Sequence, residues 1–145
     1  MELTTFGILM KFAIERETDI ANLLENMKGR EPFASLGDWL GRWTKESQKN
    51  LQLLERTRRE NINEVILHTI SGLEDSRYLV QPVSAEGMSP GELGNHLIDM
   101  IDSLVRFYND AAGKLANKEV SRAFSRLAEK KHPLREEIRK NFVSP

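Results

Sequence analysis

The sequence predicts an all-α protein built as a bundle of four helices. In four stretches, apolar residues recur every three or four positions, which is the spacing of one face of an α-helix. Signals for helix starts and ends separate these stretches, and one long polar segment, residues 72–89, divides them into two pairs. We therefore expect a single domain of 145 residues in which two helix pairs are joined by a long connection.

The first two helices are predicted from their apolar spacing and from the residues at their ends. The first pattern covers about residues 5–28 and ends near Gly29. The second covers about residues 36–71, with Ser35 as its cap and Asp38 as the partner of that cap. Residues 56–61 are polar on nearly every face, so an alternative is a break there, with residues 61–70 as a separate segment.

The third and fourth helices have clearer start signals. Ser89, Pro90 and Glu92 form a capping box with proline at the first helical position, which predicts a helix over residues 90–115. Asn117 is the predicted cap of a last helix over residues 118–142. Tyr78 lies inside the polar connection, and the sequence leaves open whether this segment folds back onto the bundle or meets another subunit.

Composition limits the classes of function. The chain is 39% apolar and 30% charged, as in globular proteins, and 21 basic residues nearly balance 22 acidic ones. Charge therefore gives no reason to expect a nucleic-acid or membrane partner. The absence of cysteine excludes disulfides, thiolate metal sites and cysteine nucleophiles. Residues 6–14 are apolar but lack the flanks of a secretory signal, so we expect a cytoplasmic protein.

The length of the connection permits two topologies. About 16 extended residues reach roughly 50 Å at ~3.3 Å each, whereas a helix of about 24 residues is only about 36 Å long. The connection can therefore cross from one end of the bundle to the other, and the alternative is a simple up-down bundle. Two helix pairs joined by a crossover are the arrangement of ferritin-like proteins.

Three short motifs resemble the rubrerythrin-like branch of the ferritin-like superfamily. Phe107-Tyr108 is similar to its Phe-Tyr pair, the run from Phe124 to Glu129 to its F-x-x-L-A-x-E motif, and the run from Ala13 to Glu17 to its A-I-E-x-E motif. The resemblance implies a ferritin-like four-helix bundle, which in the family holds two irons by carboxylates and histidines.

Carried over residue by residue, the resemblance implies that most iron ligands are gone. Of the six positions where the family has its iron ligands, only one holds a carboxylate in this sequence. One carboxylate cannot supply the oxygen and nitrogen donors that two irons need. We therefore expect a vestigial site without metal or cofactor. Its positions are Glu17 in the first helix, Ser47 and Asn50 in the second, Ile101 in the third, and Lys131 and Leu134 in the fourth.

Glu129 and His132 have the E-x-x-H spacing of a metal site in the fourth helix. At ~100° per residue, however, Glu129 lies about 160° and His132 about 140° from Leu127, which belongs to the apolar stripe. Both side chains are therefore expected to point away from the core, and we interpret them as part of a solvated charged face.

Glu17 and Lys131 lie on the inner faces of their helices by periodicity alone. Because a buried charge without a partner is costly, our hypothesis is that Lys131 pairs with Glu17 across the bundle. Its ammonium group would take the place of the missing cation, and Ser47 and Asn50 would complete the hydrogen bonds. The alternative is that Lys131 reaches the surface on its long stem and Glu17 meets water.

Other polar residues give weaker signals. His68 and His96 lie near predicted helix ends and are interpreted as surface or cap residues. Arg56, Arg58 and Arg59 alternate with glutamates, which is typical of a solvated helix face and not of a phosphate site.

The sequence is compatible with two functions. The first, which we favour, is a non-enzymatic bundle that acts by binding or assembly, as a homo-oligomer and preferably a homodimer, with an unknown small ligand. The second is a rubrerythrin-type di-iron oxidase or peroxidase with an atypical ligand set. The distances between the candidate side chains distinguish the two functions, since the enzyme needs at least four ligands within coordination distance. The candidates are Glu17, Glu46, Glu129 and His132, with Glu15, Asp99 and Asp102 as further carboxylates.

Overall fold

Four α-helices make up most of the part of the chain that the structure describes, which confirms the predicted all-α four-helix bundle. This computed structural model describes residues 1–65 and 69–142, apart from the side chains of Pro32 and of residues 63–65. Short 3-10 helices lie at Glu31–Leu36 and Asp75–Arg77. The α-helices are α1 (Phe6–Met27), α2 (Gly37–Val65), α3 (Pro90–Ala112) and α4 (Lys118–Phe142).

The helices pack in two pairs, α1 with α2 and α3 with α4. The pairs meet where α1 contacts α3 and where α2 contacts α4, so α1 and α4 lie on a diagonal of the bundle. All four helices contribute buried apolar side chains to one core. Within the described residues, no helix is both long enough and apolar enough to cross a membrane.

Side-chain caps start three of the helices. The Thr5 hydroxyl accepts a hydrogen bond from the backbone of Ile8 at the start of α1. Ser89 and Glu92 exchange the two hydrogen bonds of the predicted capping box. The Asn117 side chain accepts from the Val120 backbone, which confirms its predicted role at the start of α4.

The start of α2 differs from the prediction. Ser35 is not its cap, because residues 31–36 form a 3-10 helix and α2 begins at Gly37. This tight turn places Phe33 in the core, where its ring lies 5.8 Å from that of Phe142. A 3-10 helix with a buried Phe33 therefore stands at the start of α2 where the capping box was predicted.

The alternative of a break in the second helix is wrong, and the predicted continuous helix is confirmed through residues 56–61. α2 is continuous through residues 56–61, where Thr57 and Asn61 are buried. The Thr57 hydroxyl donates to the carbonyl of Leu53, and the Asn61 amide donates to the carbonyl of Thr57. Both side chains thus donate to carbonyl groups of the helix itself, and the Asn61 side-chain oxygen accepts from the Asn117 side chain, so their polarity does not interrupt the helix.

Two helix ends lie earlier than predicted. Residues 69–71 are not helical, so the predicted bounds 36–71 are too long, and residues 66–68 lie outside the described part. The backbone of Ile70 donates instead to the carbonyl of Thr4, at 2.8 Å. α3 ends at Ala112 and not near residue 115.

The connection between the pairs runs alongside α1. Near the start of α1, Leu3 donates to the carbonyl of Leu73 at 2.7 Å, and residues 2 and 74 form an antiparallel bridge. Near the end of α1, the backbone of Ala85 donates to the Asn26 side chain at 3.0 Å. The segment from residue 73 to residue 85 therefore extends from one end of α1 to the other.

Tyr78 attaches the middle of this connection to the bundle, one of the two alternatives that the sequence left open. Its side chain is 3% exposed, and its ring packs edge-on against Phe12 and Phe107. Its hydroxyl donates to Asp110 at 2.6 Å, and its carbonyl accepts from Ser103. The segment thus folds back onto its own chain at this point.

Candidate functional site

A buried charge cluster lies between α1, α3 and α4. The ammonium nitrogen of Lys131 is 2.7 Å from Oε1 and 2.9 Å from Oε2 of Glu17. The hydroxyl of Tyr108 donates to Oε1 of the same carboxylate, at 2.7 Å. Exposed fractions are 0% for Glu17, 2% for Lys131 and 0% for Tyr108. The predicted pair is confirmed, and the alternative in which Lys131 reaches the surface is wrong.

Helical spacing explains why these side chains point inward. Glu17 lies between Ala13 and Ile20 on the buried stripe of α1. Lys131 lies between Leu127 and Leu134 on the buried stripe of α4. Because α1 and α4 lie on a diagonal of the bundle, a pair between them spans its centre.

The cluster is electrically balanced. One carboxylate accepts from one ammonium group and one phenol, so the buried charges of Glu17 and Lys131 offset each other. Burial raises the pKa of Tyr108 well above its ordinary value, and the charge of Glu17 and the hydrogen bond to it raise it further. Tyr108 therefore remains a neutral hydrogen-bond donor.

Ser47 and Asn50 do not have the predicted role. Both are buried on α2, with 3% and 6% of their surface exposed, but neither forms a hydrogen bond with Glu17 or Lys131 within the described residues. The carbonyl oxygen of the Asn50 side chain has no hydrogen-bond partner there. Tyr108 completes the hydrogen bonds of Glu17 instead.

Tyr108 is the member of the cluster that sequence reasoning missed. A signal existed, because Tyr108 lies four residues after Leu104 and three before Ala111, both of which are buried. A buried tyrosine hydroxyl usually finds a partner, and Glu17 was the one acidic residue placed on an inner face. The missing information was the distance between α1 and α3.

All six vestigial positions are buried, as their helical spacing predicts. Ile101 is 0% and Leu134 is 3% exposed, and both belong to the apolar core. These two positions supply no metal donor. A cation near Glu17 would therefore have one carboxylate available, and it would have to displace the ammonium group of Lys131.

The alternative ligand set is not brought together. Glu129 and His132 are exposed, as expected for a solvated face, and Glu46 lies 3.4 Å from Lys49. Asp102 pairs with Arg135 at 2.7 Å. Among the residues that the structure describes, no three histidine or acidic side chains are placed to hold a metal ion. Glu17 and the residues around it therefore do not fit a di-iron centre.

His68 and His96 were predicted to be surface or cap residues, and the structure describes only His96. His96 is half-buried, and its Nε2 lies 2.8 Å from the carbonyl oxygen of Gln81, so it helps to attach the connection to α3. His68 lies outside the described residues.

We find no match to this chain among protein-family models, curated proteins or solved structures. Membership of the ferritin-like superfamily therefore stays a prediction from the sequence motifs.

Proposed function

We propose that the protein is a non-enzymatic, ferritin-like bundle that lacks di-iron chemistry and acts by binding or assembly. The observation that carries this proposal is the ammonium group of Lys131, 2.7 Å from Glu17 at the centre of the bundle. In the ferritin-like arrangement, this is the region where ligands from opposite helices converge on metal ions. A lysine side chain supplies the positive charge there.

The path of the chain supports the ferritin-like part of the proposal. The connection extends alongside α1 from residue 73 to residue 85, as a crossover between two helix pairs requires. The end of α4 lies beside the start of α2, where Glu137 accepts hydrogen bonds from Trp39 and Arg42. This contact is also the one that a crossover topology demands.

The donor chemistry supports the loss of metal binding. Two irons need several hard oxygen and nitrogen donors, and four of the six vestigial positions are Ser47, Asn50, Ile101 and Leu134. Of the remaining two, Lys131 already occupies both oxygens of Glu17. An incoming cation would break the ion pair and gain no second anionic ligand.

Assembly as a homodimer is part of the proposal. Trp39 and Trp43 lie on one side of α2 and are only half-buried within the chain, with ring centroids 6.4 Å apart. Partly exposed aromatic pairs of this kind are frequent in protein interfaces.

Elemental analysis tests the proposal. The protein is expressed in medium supplemented with iron and manganese, purified by gel filtration, and analysed for metal per chain. We expect metal well below one ion per chain, no iron absorbance, and elution near twice the chain mass of 16.6 kDa. Close to two metal ions per chain would overturn the proposal in favour of a di-iron oxidase or peroxidase. Elution at the chain mass would contradict the homodimer alone.

A further inference from the structure

A cleft between α2 and α4 contains three arginine side chains. Its volume is about 370 Å³, which lies in the range of small-molecule sites. Arg56 reaches it from α2, and Arg122 and Arg126 reach it from α4. Leu53 and Ala123 provide an apolar part of the lining.

The three guanidinium groups have no ion-pair partner within 4.0 Å in the described part of the chain, although Glu60 and Glu119 line the same cleft. Some arginines elsewhere in the described chain pair with carboxylates, whereas others, such as Arg139, form no ion pair there. Arg58 lies 2.7 Å from Glu55, and Arg135 lies 2.7 Å from Asp102. The cleft thus contains positive charge that the fold does not neutralise directly.

The arginines of α4 belong to a longer cationic row. Lys118, Arg122, Arg126 and Lys130 follow one another every four residues, and none of them forms an ion pair with a described residue. Like charges at this spacing destabilise a helix. An anion bound beside the row would remove this repulsion, so the arrangement favours an anionic ligand over a cation or a neutral molecule.

We propose that this cleft binds the phosphate group of a small molecule. Guanidinium groups bind phosphate oxygens through paired N–H donors, and three arginines from two helices line this cleft. Leu53 and Ala123 would contact the organic part of a phosphate ester. The inference rests on the proposal that the protein acts by binding, and it identifies the site and the ligand chemistry. Sequence reasoning considered Arg56 with its helical neighbours only, and the fold adds Arg122 and Arg126.

Titration of the full chain, followed by NMR, tests the inference. The probes are inorganic phosphate and phenyl phosphate at constant ionic strength, and the signals are the side-chain Nε–H groups of arginine. We expect saturable shifts of Arg56, Arg122 and Arg126. Tighter binding of phenyl phosphate assigns an organic phosphate as the ligand, and equal binding assigns free phosphate. The absence of saturable shifts with both probes overturns the proposal.

Charge variants make the test specific. Arg126→Gln should raise the dissociation constant at least fivefold, because one of three phosphate contacts is lost. Glu119→Gln should lower it, since a carboxylate that repels the anion is removed. The matched control is Arg139→Gln, which removes the same charge from an exposed position of α4 outside the cleft.

Two results of the variants would overturn the inference. If Arg139→Gln weakens binding as much as Arg126→Gln, phosphate binds by overall charge and not in the cleft. If Glu119→Gln leaves affinity unchanged or lowers it, the bound group is not next to that carboxylate. Metal content, measured on the same preparation, reports on the proposed function separately, so the two failures are distinguishable.

Discussion

At the scale of single residues, the cluster of Glu17, Lys131 and Tyr108 links α1, α3 and α4. A buried ion pair contributes little compared with apolar side chains of similar volume, but removal of one partner leaves a charge in the core. The pair is also sensitive to register, because a shift of α4 by one residue would rotate Lys131 by about 100°. We infer that the cluster sets the alignment of α1 against α4.

Lys131→Met is expected to destabilise the protein by about 3–5 kcal/mol, because the buried carboxyl group of Glu17 would lose its counterion. Urea unfolding followed by circular dichroism measures this effect. A loss below about 1 kcal/mol would contradict a buried ion pair, since exposed pairs have effects of that size.

A triple variant is the control for this prediction. Glu17→Leu, Tyr108→Phe and Lys131→Met together replace the cluster by apolar side chains of similar volume. We expect its stability to lie within about 2 kcal/mol of the original, because no charge or hydroxyl remains unpaired. If the triple variant is as unstable as Lys131→Met alone, the loss comes from altered packing and not from the unpaired charge.

Asn50 gives a second prediction at this scale. Its side-chain oxygen is buried without a hydrogen-bond partner among the described residues. Because an unsatisfied buried group costs about 1–3 kcal/mol, Asn50→Leu should raise the free energy of unfolding by about 1 kcal/mol. The change is read from the midpoint of urea unfolding. Destabilisation would show instead that Asn50 has a partner in solution, such as a buried water molecule.

At the scale of elements, local hydrogen bonds explain where helices begin and why α2 continues. α3 and α4 begin at caps that can be recognised from the sequence, Ser89 and Asn117. α2 carries polar residues on its buried side, but Thr44, Thr57 and Asn61 all donate to carbonyl groups of the same helix. Polar composition is therefore compatible with a buried helix when the side chains are short enough to bond to their own backbone.

Tyr78 makes the attachment of the connection dependent on pH. Burial, the hydrogen bond to Asp110 and the negative charge of Asp110 raise the pKa of Tyr78 to about 12. The folded protein thus retains the phenol proton in a pH range where the unfolded chain loses it, above the ordinary pKa of 10.0. The contribution of Tyr78 to stability is therefore complete below about pH 10 and is lost as the pH rises through about 12.

Comparison with Tyr78→Phe measures this contribution. Between about pH 9 and pH 12, the free energy of unfolding should fall more steeply for the original protein than for the variant, which has no phenol at this position. Tyr108 is present in both proteins, so its own titration cancels. Equal slopes in urea unfolding across this range would contradict the role of Tyr78.

At the scale of the whole molecule, the path of the connection decides which helix ends meet. Because it runs from one end of α1 to the other, the end of α4 lies beside the start of α2. In a simple up-down bundle, the start of α4 would lie there instead. α4 has 25 residues and is about 37 Å long at ~1.5 Å per residue, so the two topologies are easily distinguished.

Cross-linking tests this topology, and the lack of native cysteine removes background reaction. Arg42 and Glu137 are partly exposed, and a guanidinium nitrogen of Arg42 lies 2.5 Å from Oε1 of Glu137. We expect the double variant Arg42→Cys, Glu137→Cys to form an intramolecular link with a short bis-maleimide, detected by mass spectrometry after proteolysis. Arg42→Cys with Lys118→Cys is the matched control and should not link. The reverse result would indicate a simple up-down bundle.

The class of fold, the inward position of six side chains and two of the caps can be predicted from the amino-acid sequence alone. These properties depend on interactions within one helix, such as the spacing of apolar residues and the hydrogen bonds of Ser89 and Asn117. The pairing of Glu17 with Lys131 was also predictable, because two buried opposite charges have few other ways to avoid a large cost.

Contacts between side chains of different helices, by contrast, depend on how the bundle packs. Tyr108 takes the predicted place of Ser47 and Asn50 beside Glu17. Phe33 packs against Phe142 before α2 begins, and Arg122 and Arg126 line the same cleft as Arg56. Each of these outcomes depends on distances between elements far apart in the chain. Helical periodicity gives the direction of a side chain. Packing of the whole bundle sets how close two helices come and which side chains lie within hydrogen-bonding distance of each other.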